Sequence, residues 1–293
     1  MNQSDSYDDQ PRVKEFQRVI KVFFSRGLVV FGILIILVTI IVALFAPILA
    51  PYNPYEQNLR QALLNPGMEH PLGTDRLGRD TLSRVIFGSR ASLMVGIVAI
   101  AIAAFFGMSL GLIAGYFGGI LNVAIMRFVD ALMSFPMILL ALCITALLGG
   151  GLTGVVIALG IGLIPNYARL MCGQVLTVRE KDYVTAAHAM GAGSWRIMLR
   201  HLMPNSFPPT IVLMTMMMGH TILAEAGLSF LGVGIEPPGA AWGAMVSEGY
   251  PYLLTNPILS VAPGFAIMLV VFSFNMVGDG LRDALDPRLR GAI

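Results

Sequence analysis

The chain has 293 residues, of which 56% are hydrophobic and only 12% charged, with 19 Lys and Arg against 17 Asp and Glu for a net charge of +2. Soluble domains carry about twice that share of charge, so the composition excludes an ordinary water-soluble protein, and so small a net charge gives no footprint for nucleic acid. The two cysteines, Cys143 and Cys172, lie in or beside apolar runs and provide neither a disulfide framework nor a redox site.

Residues 1–27 form a polar, basic leader. In it Val13, Phe16, Ile20, Phe23 and Phe24 recur at helical spacing opposite Lys14, Arg18 and Lys21, the pattern of a cytosolic helix lying on an anionic membrane surface. The apolar run that follows is too long for a signal-peptide h-region and no A-x-A site comes after it, so this start reads as a retained anchor. A bilayer core of about 30 Å takes roughly 20 apolar residues per helix. Residues 28–49 meet that length without a charge and define an added first transmembrane helix, 28–50. Residues 51–90 are polar and broken by Pro51, Pro54, Pro66 and Pro71, an external segment. A core of five helices then occupies 91–280, with spans at 93–113, 131–148, 152–178, 210–231 and 258–277, and residues 281–293 form a cytosolic tail. An even number of spans puts both termini on one side. With the N-terminus inside, all basic residues but Arg60, Arg76, Arg79, Arg84 and Arg90 fall in the cytosol or at its border.

Within the core, Gly107, Gly111, Gly115 and Gly119 repeat every four residues and line one helical face with residues that admit a close neighbour. Arg127 and Asp130, three apart, predict an ion pair along one helix face. Gly149, Gly150, Gly151 and Gly154 fit a G-x-G-x-x-G pattern but sit between two apolar spans, so they read as a short external turn. Pro165 and Arg169 interrupt the fourth span and predict a kink or early exit near the proline. Met214, Met216, Met217 and Met218 suit packing or lipid contact better than a permissive passage. His220 and Glu225 are the only ionisable side chains in their span. Such groups mark a transport pathway or an inter-helix hydrogen bond, and for Glu225 the bond is the stronger reading because it has no second acid nearby. Pro237, Pro238 and Trp242 read as an external turn followed by a short interfacial helix anchored by the indole.

Catalysis is not expected. The sequence contains no Gly-Lys pair, hence no phosphate-cradling G-x-x-x-x-G-K-[ST] loop, and His70, His188, His201 and His220 have no metal-ligand spacing. The most informative segment is 179–209, too long and too patterned for a passive link. It reads as two short helices: Asp182 caps the first, whose Ala186, Ala187 and Ala189 are compact; Gly191 and Gly193 allow a sharp turn; the second spans 195–202 and ends before Pro204. A helix with small residues on one face suits docking in a cleft of another protein and passing on its movement.

At Thr185, Ala186, Ala187, Gly191 and Pro204 the chain resembles the permeases of binding-protein-dependent ATP-binding-cassette importers. Their cytosolic signature runs E-A-A, three residues, Gly, nine residues, I-x-L-P. Thr185 stands here in place of the Glu, and His201 and Met203 in place of Ile and Leu. A Glu there would complete a capping box with Asp182, so Thr185 weakens this helix by some tenths of a kcal/mol. The stretches HPLGTDRLGRDTLSR (70–84), LSFLGVG (228–234), PPGAAWGAM (237–245) and NMVGDGLRDALDPRLR (275–290) are similar to the dipeptide, oligopeptide and nickel permease subfamily, to the second of its two paired permeases. The resemblance implies an all-α integral membrane protein of six transmembrane helices with the type I importer permease fold, in a bacterial inner (plasma) membrane. It further implies a second homologous permease, one or two cytosolic ATPase subunits at the coupling loop 179–209, an external solute-binding protein and surrounding membrane lipid. ATP and Mg would sit on the ATPase subunits, with no cofactor bound by this chain, and di-/oligopeptides or similarly small solutes would move inward. An ATP-independent secondary transporter or channel would explain six helices equally well. The single intramembrane acid and the lack of paired broken helices in two halves speak against it.

Overall fold

The computed structural model describes residues 23–235 and 238–285, so most of the amphipathic leader, Pro237 and the end of the C-terminal tail lie outside the described residues. In chain order the helices are α1 (Gly27–Leu44), α2 (Ala46–Leu49), α3 (Thr81–Phe117), α4 (Gly119–Met133), α5 (Met137–Leu147), α6 (Gly151–Arg179), α7 (Asp182–Ala189), α8 (Ser194–Ile197), α9 (Met203–Ser206), α10 (Pro208–Phe230), α11 (Trp242–Gly249) and α12 (Ile258–Leu285). α1, α3, α6, α10 and α12 are each long and apolar enough to cross a membrane, and α4 with α5 gives a sixth span bent by 87°. Residues 50–80 and 231–257 lie at one end of this bundle, the long-loop end. Residues 180–207 lie at the other, the elbow end.

The boundaries differ from the sequence expectation in three places. α3 starts at Thr81, not 93, because the Asp80 carboxylate caps it, accepting from the Ser83 backbone N–H and hydroxyl at 2.7 Å each. At 1.5 Å per residue its 37 residues run about 55 Å, well past the bilayer core. The polar first turns are covered by the 50–80 segment, and Arg84 and Ser89 there are buried. The span expected at 131–148 is broken at 134–136, where Pro136 lacks an N–H and pushes Phe135 out of helical backbone; only Met137–Leu147 follows. By contrast α6 runs unbroken from Gly151 to Arg179 with Pro165 buried inside it, and the early exit does not occur.

The centre of the fold is the α3–α6 pair, which touches along most of its length. A Cβ built on Gly107 would stand 2.6 Å from the Ile164 carbonyl, one on Gly111 2.8 Å from the Met171 Cβ, and one on Gly115 2.8 Å from Val175. Gly119 leaves the stripe, since the chain turns at Gly118 and nothing stands within 4 Å of it. Because the α6 backbone itself fills the space, Gly111→Leu cannot be relieved by a rotamer change. Overpacking of this kind costs about 1–3 kcal/mol or more, and we expect the variant to fall several-fold in membrane abundance by quantitative immunoblot, with Ser109→Leu on the exposed face of the same helix near wild type.

α1 lies on α12: Gly32 faces the Ser273 carbonyl, Gly280 faces Val29, and Arg26 pairs with Asp283 at 2.5 Å, which brings the start of α1 and the end of α12 together at the elbow end. The ion pair expected between Arg127 and Asp130 is not formed. Asp130 pairs across helices with Arg169 of α6 at 2.5 Å, which also gives that intramembrane arginine its partner. Trp242 is not an interfacial anchor either. It is 2% exposed, donates from Nε1 to the Val85 carbonyl at 2.9 Å, and lies against Gly88, where the missing side chain leaves room for the indole.

Candidate functional site

The 180–207 elbow is built from the end of α6 outward. Arg179 donates to the Gly115 carbonyl at 2.9 Å and so ties the end of α6 to that of α3. α7 follows with Lys181, not Asp182, at its N-cap and no side-chain cap bond; Asp182 is the first helical residue. The carboxylate therefore acts through the helix dipole and not as a hydrogen-bonded cap. The capping-box argument moves with it, because N3 is Val184 and Thr185 lies one position beyond. Val184 and Ala187 are buried beneath α7, while Asp182, Thr185, Ala186 and Ala189 are exposed on its outer side. The strip formed by Asp182, Thr185, Ala186 and Ala189 thus carries small side chains and one acid, with the exposed Tyr183 and Met190 beside it.

α7 ends in a Schellman turn: the Gly191 N–H donates to the His188 carbonyl at 2.9 Å and the Ala192 N–H to the Ala187 carbonyl at 3.0 Å. Gly191 sits at φ +79°, a conformation L side chains resist. Gly193 is extended and serves as the N-cap of α8. The second helix does not stop before Pro204. From Ser194 to Ser206 the chain stays helical, widening into a π-turn at Met198–Leu202 just ahead of the proline. A proline ring would strike the carbonyl four residues back in a regular helix, and the wider turn removes that clash.

The elbow is not a free flap. Val184, Ile197, Met198 and Leu202 from it share one buried apolar cluster with Leu112 of α3 and Met171, Val175 and Val178 of α6. Two ring contacts brace it further, His188 stacked on Tyr116 with centroids 6.1 Å apart and Tyr183 beside His201. Fully burying each such apolar side chain from water contributes roughly 1.5–3 kcal/mol. The elbow and the ends of α3 and α6 are therefore one packed unit.

At the long-loop end the structure assembles a group of charges. Asp75 Oδ2 accepts from Arg79 Nε at 2.6 Å and from Arg84 Nη1, and Glu248 Oε2 of α11 accepts from Arg79 Nη2 at 2.7 Å and Arg84 Nη1 at 2.9 Å. Both arginine side chains are essentially fully buried. Beside them His70 Nδ1 lies 2.9 Å from Asp80 Oδ1. Burial alone would raise the Asp75 carboxyl; Arg84, the backbone N–H of Arg79, the Arg79 guanidinium and the Leu77 N–H outweigh it and hold it below the ordinary aspartate value. The cluster clasps the 70–84 stretch to α11 and bounds a cavity of about 290 Å³ whose rim carries Arg76 and Tyr252.

Of the intramembrane groups, Glu225 is fully buried. It accepts from Ser229 of its own helix at 2.7 Å and from Ser92 of α3 at 3.4 Å. His220, five residues earlier, is exposed on α10 and is not brought near it. Met218 lies in the core with Met214 and Met217 packed against it, and Met216 fills the space over Gly278.

Residues 107–291 match the family described as the binding-protein-dependent transport system inner membrane component. The chain belongs to that family. Residues 15–66 of this permease also match the N-terminal TM domain of oligopeptide transport permease C. A dipeptide transport system permease protein, DppC, of Alkalihalophilus pseudofirmus is 41% identical over 283 residues, covering 97% of this chain and 93% of that one. A glutathione transport system permease protein, GsiD, of Pectobacterium atrosepticum is 41% identical, covering 92% and 89%. A di/tripeptide transport system permease protein of Pseudomonas aeruginosa is 42% identical, covering 89% and 88%. The fold is similar to that of a chain of the MetNI methionine ABC transporter, itself solved in inward-facing conformations, with a TM-score of 0.57 at 19% identity over 69% of this chain and 97% of that one. The protein is thus the membrane-spanning permease subunit of an ATP-binding-cassette importer.

Sequence reasoning located the elbow of this permease but assigned no role to Asp75, Arg79, Arg84 and Glu248. A signal is present in DRLGRDTLSR (75–84), with arginines four and nine residues after the first acid, yet their partner Glu248 lies more than 160 residues away.

Proposed function

We propose that this permease pairs with a second related permease around a central pathway and carries di- or oligopeptides, or solutes of similar size such as glutathione, inward across a bacterial inner membrane. An external solute-binding protein delivers the cargo. One or two cytosolic ATPase subunits, which bind the ATP and Mg, dock on the exposed face of α7 around Asp182, Thr185, Ala186 and Ala189. The observation that carries this reading is the single apolar cluster shared by the elbow with α3 and α6: closure of the ATPases, pressed on α7, shifts the helices between inward- and outward-facing arrangements, and nucleotide biases that two-state equilibrium by its different contacts in each. Charge supports the sidedness. Arg26, Arg179, Lys181, Arg196, Arg200 and Arg282 stand at the elbow end, against Arg60, Arg76 and Arg90 at the other end, where Arg79 and Arg84 are buried against Asp75 and Glu248, so the excess of basic residues favours a cytosolic elbow and cytosolic termini. The cargo reading rests on the relatives at 41–42% identity.

Purification of the tagged chain from its native membrane in mild detergent tests this directly. The expected result is recovery of a second permease and ATPase subunits, with ATP hydrolysis raised by a binding protein loaded with peptide. A chain that purifies alone and passes solute in liposomes without nucleotide would overturn it in favour of an ATP-independent transporter or channel.

A further inference from the structure

Between α3 and the 194–206 helix runs an apolar groove of about 290 Å³, lined by Phe105, Met108, Leu112, Trp195, Leu199 and Met203 among others. Its floor is the buried cluster that holds the elbow, but its mouth is open: Phe105, Trp195 and Leu199 are exposed at 65%, 69% and 55%. On α3 the groove spans residues 105–113, about 6–18 Å along the helix from its end at Phe117. With the end of α3 placed at the cytosolic membrane surface, that depth falls in the hydrocarbon just beneath it. At the surface, Trp195 is placed as interfacial tryptophans are. On the adjoining strip of the same helix stand Arg196 and Arg200, both exposed, with no ion pair to any described residue. An apolar slot at acyl depth that opens beside two unpaired guanidiniums has the chemistry of one kind of occupant.

We propose that this groove binds one anionic phospholipid of the cytoplasmic leaflet, with an acyl chain against Phe105, Met108 and Leu112 and the phosphate at Arg196 and Arg200. The size is adequate, since a dry apolar cavity of roughly 150 Å³ already accepts benzene. The charge supplies the headgroup selectivity, because each arginine at an anionic surface contributes about a fivefold gain and two together on the order of 30-fold. The lipid would thereby fasten the elbow to the membrane on the side away from the exposed face of α7. The inference rests on the proposed cytosolic placement of the elbow.

The test uses the assembled transporter in nanodiscs with a diazirine on the acyl chain of either phosphatidylglycerol or phosphatidylcholine, and maps the cross-linked peptides by mass spectrometry. Phosphatidylglycerol should label the groove at least tenfold more than phosphatidylcholine. The paired change R196Q with R200Q should reduce that label to the phosphatidylcholine level. Ser109→Trp, which fills the groove from α3 and leaves both arginines in place, should abolish groove labelling by either lipid. Equal labelling by the two lipids, or an unlabelled groove in the assembled complex because a protein partner covers it, would overturn the proposal. ATP hydrolysis raised by the binding protein in the same nanodiscs separates the two readings: if it persists while the groove stays unlabelled, the lipid site alone fails, whereas an absence of ATPase subunits removes the functional reading itself.

Discussion

Asp75→Asn should be among the most damaging single substitutions in this permease, although Asp75 lies outside every membrane span. The change leaves two buried guanidiniums, Arg79 and Arg84, facing one carboxylate, Glu248. Arg79 Nη1 and Arg84 Nε already lack a partner among the described residues, so the cluster has no spare acceptor. Breaking a buried pair from one side costs about 3–5 kcal/mol, and the thermal midpoint of the detergent-solubilised complex should fall on the order of 10 °C. The decisive comparison is the double variant D75N with R84M, which removes one charge of each sign. It should be more stable than D75N alone, since what destabilises the single variant is the uncompensated cation. A double variant no better than the worse single would mean that shape, not charge balance, governs the site. The pH dependence follows from the same geometry. The Asp75 carboxyl titrates below its ordinary value in the folded protein, so its contribution is complete above that ordinary value and disappears only as pH falls through the depressed one. The midpoint difference between wild type and D75N should hold from neutral pH to about pH 5 and shrink only in stronger acid.

How much of this was legible in the sequence depends on how far apart the interacting residues lie. The apolar runs reveal α1, α3, α6, α10 and α12 because length and composition suffice to identify a span. The glycine stripe at Gly107, Gly111 and Gly115 is legible for the same reason, as spacing along one helix. The start of α3 is not legible in the sequence because its polar first turns are stabilised by what covers them, a segment that no local pattern connects to Thr81. Spacing pairs Asp130 with its nearest cation, Arg127, whereas the fold brings Arg169 to it from 39 residues away. Residue type alone places Trp242 at the interface; the space at Gly88 that receives it is a property of two distant helices. In the elbow the small residues and the Gly191 turn were readable. The N-cap at Lys181 and the π-turn before Pro204 were not, since both follow from how Val184, Met198 and Leu202 are drawn into the cluster with α3 and α6. An isolated acid in a span points to an inter-helix hydrogen bond for Glu225, but only the fold names its partner on α3, Ser92.

Gly191→Trp should reduce uptake at least tenfold while membrane abundance stays close to wild type, and the reason can be separated into backbone and side chain. Nothing stands within 4 Å of a Cβ at Gly191, so a side chain there leaves the backbone into open space. What remains inside the chain is the cost of a non-glycine residue at φ +79°, roughly 1–2 kcal/mol, too little to release an elbow held by Val184, Ile197, Met198 and Leu202. A large loss of uptake with abundance kept would then point to a contact between the turn and another protein. Gly191→Asn isolates the two effects, because asparagine tolerates the left-handed backbone and projects little. If α7 and its turn seat in an ATPase cleft, the Asn variant should keep most of its uptake and of its binding-protein-stimulated ATP hydrolysis. The Trp variant should lose both, and its ATPase subunits should dissociate more readily in detergent. Equal loss in the two variants would place the requirement in the backbone turn and not in the docking surface. Normal uptake by a well-inserted Trp variant would remove the elbow from the coupling path altogether.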